Sequence, residues 1–211
     1  MPGSWPVGTA ADVSVRAARP GDAAAVAAVH ARAWRAAYAD LLDAATLAEL
    51  TPAALAGPWR EAVASPPSPR HAVFVAVAGD LVVGFAAAAP SEDADAGPLD
   101  GEVVALAVDP AHQRAGHGSR LLAAATDHLR DAGLRGVTVW TPAADAPRRE
   151  FLAAAGLRAD GATRAYQGRE LTEVRYSAAL EDPLDDPGPG PLDGPGPLDG
   201  PGLLDGPRGG E

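Results

Sequence analysis

The seven residues QRAGHGS, Gln113 to Ser119, combine types and spacing suited to holding an anion. They follow a β-branched run, VVALAV, and lead into alanine- and leucine-rich sequence of helical period, so they form the corner of a strand–loop–helix unit. A helix that starts directly after a strand leaves main-chain N–H groups unpaired in its first turn, where the macrodipole adds partial positive charge. Gly116 and Gly118 lack the side chains that would keep a ligand off that backbone, and Arg114 adds a full charge. Such a loop is either a simple corner or a cradle for a pyrophosphate. The chain contains no lysine, which excludes the lysine-bearing nucleotide loop, and the three-glycine dinucleotide fingerprint is missing. His112 and His117 are five apart with no third ligand nearby, so the spacing argues against a metal and solvent exposure is expected for both.

The elements that would position this loop can be read along the chain. VSVRAA (Val13 to Ala18) alternates as a strand. Asp22 is the expected N-cap of a first helix reaching about Ala39. A second helical region spans Ala44 to Ala64, with breaks expected at Thr51-Pro52 and Gly57-Pro58. Arg70 to Ala78 and Leu81 to Ala89 flank Gly79-Asp80 as a hairpin. An acidic loop, Ser91 to Gly101, precedes a strand from Glu102 to Asp109. After the loop and its helix come a strand (Gly136 to Thr141), a helix (about Ala146 to Ala155) and two strands (Arg158 to Tyr166, Leu171 to Leu180). Strand, two helices, three strands, helix, strand, helix, two strands is a mixed α/β arrangement in which an antiparallel hairpin precedes a βαβ crossover.

Composition narrows the function classes. Residues 181–211 repeat a Pro/Gly-rich unit around Leu192-Asp193, Leu198-Asp199 and Leu204-Asp205, and are expected to be a disordered tail. Residues 1–12 read as a flexible leader, leaving 13–180 as the folded domain. Eight acids against Arg208 place seven of the eleven net negative charges in the tail. The mildly acidic remainder argues against nucleic acid. The absence of cysteine excludes disulfides, thiolate catalysis and cysteine-held zinc. With no apolar membrane span or leader pattern, a cytoplasmic address and no membrane partner are expected.

QRAGHGS resembles the Gln/Arg-x-x-Gly-x-Gly/Ala signature of the GNAT superfamily of N-acetyltransferases, and the resemblance extends over roughly residues 13–180. In that family the signature follows the fourth strand and opens the third major helix, as it does in the element order read above. The resemblance implies a twisted, mostly antiparallel sheet of about seven strands flanked by about four helices. The fourth and fifth strands would be a parallel pair, splayed to admit the arm of acetyl-CoA. It implies cofactor contacts from Gln113, Arg114, Ala115, Gly116, His117, Gly118 and Ser119 to the pyrophosphate, and from Leu106, Ala107 and Val108 to the pantetheine arm. Val137 to Thr141 would form the opposite wall.

The implied reaction is transfer of acetyl to a primary amine of a small molecule or peptide by direct attack in a ternary complex, without a metal. Glu102, eleven residues before Gln113, resembles the glutamate base of histone-acetylating members; equally, it is a carboxylate starting a strand at the solvent edge. Family members carry an Asn and, six residues later, a Phe-Tyr pair whose Tyr protonates the thiolate. Here Asp145, Phe151 and Leu152 stand in those places, so the proton donor is missing and a neutral cofactor contact becomes a charge. Trp34 and Tyr38 share a helix face, and both they and Trp140 are either core packing or acceptor contacts. Acidic residues at Asp40, Asp43, Glu92, Asp93 and Asp95 favour a cationic amine. A monomer or homodimer is expected, and the alternative function is a non-catalytic acyl-CoA-binding module.

Overall fold

The structure, a computed structural model, describes residues 13–166 and 171–180. The expected leader and tail lie outside the described residues. The strands are β1 (Val13–Ala17), β2 (Ala72–Ala78), β3 (Leu81–Pro90), β4 (Asp100–Val108), β5 (Gly136–Pro142), β6 (Arg158–Ala165) and β7 (Thr172–Ala179). The helices are α1 (Ala23–Ala37), α2 (Ala44–Glu49), α3 (Pro52–Ala64), α4 (His117–Asp131) and α5 (Ala146–Ala154). The seven strands form one sheet in the order β1-β2-β3-β4-β5-β7-β6. Every neighbouring pair is antiparallel except β4/β5, as the resemblance implied.

Helices cover both faces. On one, α4 presents Leu121, Leu122, Ala125 and Leu129 to Val83, Ala86, Val103 and Leu106, with Leu152 of α5 in the same cluster. Their spacing keeps one stripe of α4 apolar, and complete burial of a leucine contributes roughly 1.5–3 kcal/mol. On the other, Val26, Val29 and Trp59 of α1 and α3 pack on Val75, Phe85 and Ala107. A Cβ at Gly101 would lie 3.0 Å from both Leu129 methyls, so α4 packs closely on the start of β4 and a larger residue there would force Leu129 to shift.

The break expected at Thr51-Pro52 is present: Thr51 caps Ala54 N–H with Pro52 in the first turn, so α3 starts separately from α2 and the described residues hold five α-helices. Two sequence expectations are corrected. The expected break at Gly57-Pro58 does not occur. Pro58 lies inside α3 on its exposed side, so the carbonyl it leaves without an N–H partner is not sealed in the core, and burial of Trp59 holds the helix together. Asp22 makes no side-chain cap to α1; its carboxylate takes the Arg16 guanidinium at 2.6 and 3.0 Å and the Arg19 N–H at 2.7 Å.

Candidate active site

β4 and β5 are paired only over Asp100–Gly136, Gly101–Val137 and Glu102–Thr138. Beyond these, β4 stays with β3 and β5 stays with β7, so a wedge opens between them. A register shift leaves Val104 without a partner on β3, half-exposed just past the fork. Leu106 and Val108, on alternate positions, turn their main-chain groups toward the wedge. The Leu106 carbonyl accepts from Arg148 Nη1 at 2.9 Å, and the Val108 carbonyl accepts from Gln113 Nε2 at 3.3 Å. Ala107 faces the α1 side and is buried.

Glu102 stands at the fork. β4 begins two residues earlier than the sequence suggested, so Glu102 is paired on both sides, to Ala89 and Thr138, and is 8% exposed. It does not start a strand at the solvent edge. Burial pushes its carboxyl up to about 7, Asp93, Glu173 and Glu92 push the same way, and Arg164 opposes them. Such a group exchanges protons near neutrality, as a general base must.

At the far end of β4, residues 113–119 form the expected corner. Gly116 caps α4 with φ +79° and Arg114 has φ +62°. The αL cap is the position that needs glycine, since a Cβ there is strained and would meet Arg120 Nη1 at 3.0 Å. Gly118 is less constrained: its nearest neighbour would be Phe151, at 3.6 Å, and Phe151 thereby ties α5 to the start of α4. Among the described residues, no acceptor is paired with the main-chain N–H groups of 113 to 119, and Ser119, Ala115 and Arg114 are exposed. Arg120 Nη1 braces the loop through the Ala115 carbonyl at 3.2 Å. His117 departs from expectation. It is 3% exposed, held below its ordinary value by burial and by Arg120 and His112, and its Nδ1 has no partner.

Pattern reading missed the residue that anchors this corner. Asp109, 7% exposed, ends β4, accepts Ala111 N–H at 3.0 Å and takes Arg32 of α1 through Nε and Nη2 at 2.8 and 2.6 Å. Although burial opposes ionisation, these donors keep its carboxyl below the ordinary range.

Trp34 and Tyr38 do pack together, with ring centroids 5.0 Å apart, and Tyr166 lies 5.9 and 6.3 Å from them. Tyr38 terminates α1 and is buried, which raises its hydroxyl to about 12. The segment that follows α1 borders a cavity of about 590 Å³, lined by Asp40 to Asp43, Ala143, Ala144, Leu171 and Thr172. Trp140 has a structural duty. Its Nε1 donates to Asp93, and the guanidiniums of Arg164 and Arg175 lie 4.2 and 5.5 Å from its ring. Arg175 also binds Asp95 and Asp160, so the acidic loop is fastened to β5 and β7. Hence much of the acidity expected to attract a cation is spent: Asp93 and Asp95 are paired with arginine, and Asp43 caps α2.

Asp145 is the N-cap of α5, accepting Arg148 N–H at 3.0 Å, a duty that its spacing from Phe151 did not reveal. Leu152 is completely buried. Tyr176 faces the α5 side of β7, and its hydroxyl oxygen accepts from Arg149 Nε at 3.3 Å. Among the described residues no group of three or more His, Cys, Asp or Glu converges on a metal position, and no helix is long and apolar enough to cross a membrane.

Comparison with known proteins agrees with this geometry. Residues 32–157 match the Acetyltransferase (GNAT) family. A mycothiol acetyltransferase of Kineococcus radiotolerans is 40% identical over 103 residues, 48% of this chain and 29% of the relative. One from Sanguibacter keddieii is 37% identical over 131 residues, 61% of this chain and 38% of the relative. The chain therefore spans about a third of the length of these relatives. Among solved structures, an N-acetyltransferase from Thermoplasma acidophilum in complex with coenzyme A superposes with a TM-score of 0.61 at 12% identity, over 78% of this chain and 98% of that one. An acetyltransferase from Streptococcus pneumoniae gives 0.59 at 17% identity, over 81% and 100%. At such identities the likeness is one of fold.

Proposed function

Since the chain belongs to the acetyltransferase (GNAT) family, we propose that it moves acetyl from acetyl-CoA to a primary amine of a small molecule or peptide. Transfer occurs by direct attack in a ternary complex. The observation that carries this reading is the wedge between β4 and β5, which has a buried carboxylate at its fork and a loop of unpaired N–H groups where β4 ends.

The residues fit the co-substrate on observations independent of the family. Unpaired N–H groups at a helix start suit a diphosphate, and Arg114 adds charge. Arg148, whose Nη1 reaches the Leu106 carbonyl on β4, has its Nε buried without a partner, so a polar group beside the wedge is left unused by the protein itself. When bound, acetyl-CoA supplies an acyl carbon activated as a thioester. Leu106 and Val108 would hold the pantetheine amides through their main-chain groups. A main-chain N–H beside the Val104 bulge polarises the carbonyl. Glu102, ionised above pH 7, takes the amine proton through water.

The acceptor approaches from the side of Tyr38, Trp34 and the cavity at Asp40. The name of the two relatives favours acetyl as the group moved. With Asp93 and Asp95 neutralised, the site does not demand a strongly cationic acceptor. Residues 13–180 suffice for this chemistry, in a monomer or homodimer that needs neither nucleic acid nor membrane. The test is coenzyme A release from acetyl-CoA across a panel of primary amines, with binding measured in parallel. Amine-dependent thiol release supports the proposal, whereas binding without turnover on any amine supports a non-catalytic acyl-CoA module.

A further inference from the structure

The reading above leaves the departing sulfur without a partner. Leu152 occupies the place where a tyrosine would protonate it, and Leu152 is sealed in the core with Leu121 and Val139. Tyr176 faces α5 from β7, and its hydroxyl is engaged by Arg149. The side chain that does reach the wedge is Arg148. It lies four residues before Leu152, one turn earlier on the same face of α5. Its Nη1 spans to the Leu106 carbonyl on β4 at 2.9 Å, so the guanidinium crosses the opening between the parted strands. Its Nε is buried and donates to nothing. A buried N–H with no acceptor is costly, which is a reason to expect a ligand atom there.

Resting on the acetyl-CoA reading, we propose that Arg148 stabilises the coenzyme A sulfur as a thiolate when it departs, in place of a proton donor. The amine nitrogen bonds to the carbonyl carbon, the carbon–sulfur bond breaks, and its electron pair leaves on sulfur. The amine proton passes to Glu102 and then to solvent. Sulfur takes no proton in the site and leaves paired with the guanidinium. Charge pairing in a dehydrated wedge is stronger than in water, and a guanidinium keeps its proton throughout. The other ionisable groups around Arg148 do not compete for this role. Tyr38 on α1, raised to about 12 by burial, is a weaker acid than a thiol and so keeps its proton rather than passing it to sulfur. Asp145 is committed to the cap of α5, Arg149 points to the Ala143 carbonyl and Tyr176, and Glu173 on β7 is paired with Arg164.

The test uses the full chain with Arg148→Ala and Arg148→Lys, and compares coenzyme A with its desulfo analogue. Calorimetry at pH 6.5 and 9 gives the affinity owed to sulfur, and thiolate absorbance of the bound coenzyme gives its titration. The wild type is expected to bind coenzyme A more tightly than the desulfo analogue at pH 9, by about tenfold. Its bound thiol should titrate about one unit below the free thiol. Arg148→Ala should abolish both effects while leaving desulfo-coenzyme A affinity within about twofold, and should lower kcat by about 10- to 100-fold with little change in KM for acetyl-CoA. Arg148→Lys should restore part of the titration shift. A bound thiol that titrates identically in wild type and Arg148→Ala overturns the proposal. So does an equal loss of affinity for both ligands, which marks Arg148 as a strut for β4 alone. No binding of either ligand to the wild type overturns the acetyl-CoA reading itself, and the proposal with it.

Discussion

Replacing Glu102 with Gln should make the protein more stable and less active at the same pH. In the unfolded chain this carboxyl titrates at its ordinary value of 4.5, whereas in the fold it is raised to about 7 by burial and then by Asp93. Below pH 4.5 both states are protonated and the group contributes no difference. Between 4.5 and 7 the folded chain keeps a proton that the unfolded chain has lost, so stability falls as pH rises, and above 7 the loss is complete. Its size is about 3.5 kcal/mol as a ceiling, at roughly 1.4 kcal/mol per pH unit separating the two values. A side chain only 8% exposed is screened little by solvent, so the ceiling needs little discount. For a domain of this size that corresponds to a Tm rise of up to about 7–14 °C in Glu102→Gln at pH 8.5, shrinking toward zero at pH 4.5. The assay is a pair of thermal melts across pH, with turnover measured in parallel. Turnover should fall at least about 100-fold. In the wild type, kcat/KM should climb with pH through 7 as Glu102 ionises. A stability gap that does not change between pH 5 and 8.5, or a variant less stable at pH 8.5, would refute the burial argument. Full activity in the variant would remove Glu102 as the base.

Other substitutions probe the remaining parts. Gly116→Ala should cost about 1–2 kcal/mol of strain in the αL cap and weaken acetyl-CoA binding, while Gly118→Ala, with 3.6 Å of room, should be nearly silent in calorimetry. Gly118→Asp should lose binding severely by setting a carboxylate among the N–H donors. His30, which burial lowers to about 4, accepts from Trp59 Nε1 at 3.0 Å. Because the unfolded chain gains a proton first, stability should fall as pH drops from 6.5 to 4, and His30→Phe should flatten that slope in acid melts. The same variant leaves the Trp59 N–H unpaired, at a cost of about 1–3 kcal/mol at pH 7.

The fold was legible because its signals are local and periodic. Alternating β-branched residues, Gly79-Asp80, and the stripe of Leu121, Leu122, Ala125 and Leu129 each specify an element, and their order leaves few topologies. The proposed site could be placed from sequence where a motif spans consecutive residues, as in 113–119, or where spacing along one strand reaches Glu102. What pattern reading could not reach depends on elements meeting in space. The Arg32–Asp109 pair joins residues 77 apart, and the clamp of Arg175 on Asp93 and Asp95 joins residues 82 and 80 apart. No local rule predicts such pairs. Pro58 and Asp22 show the converse, where a strong local preference yields to burial of Trp59 and to the Arg16 guanidinium.

The central claim is that unpaired main-chain donors of residues 113–119 hold a diphosphate and thereby lay the thioester beside β4. Calorimetric titration of the full chain with acetyl-CoA and with S-acetyl-pantetheine, which carries the thioester arm but no diphosphate, tests it most directly. The account predicts that acetyl-CoA binds at least about 100-fold more tightly, and that Gly118→Asp erases most of that difference. Equal affinities for the two, or heat from neither, would contradict it.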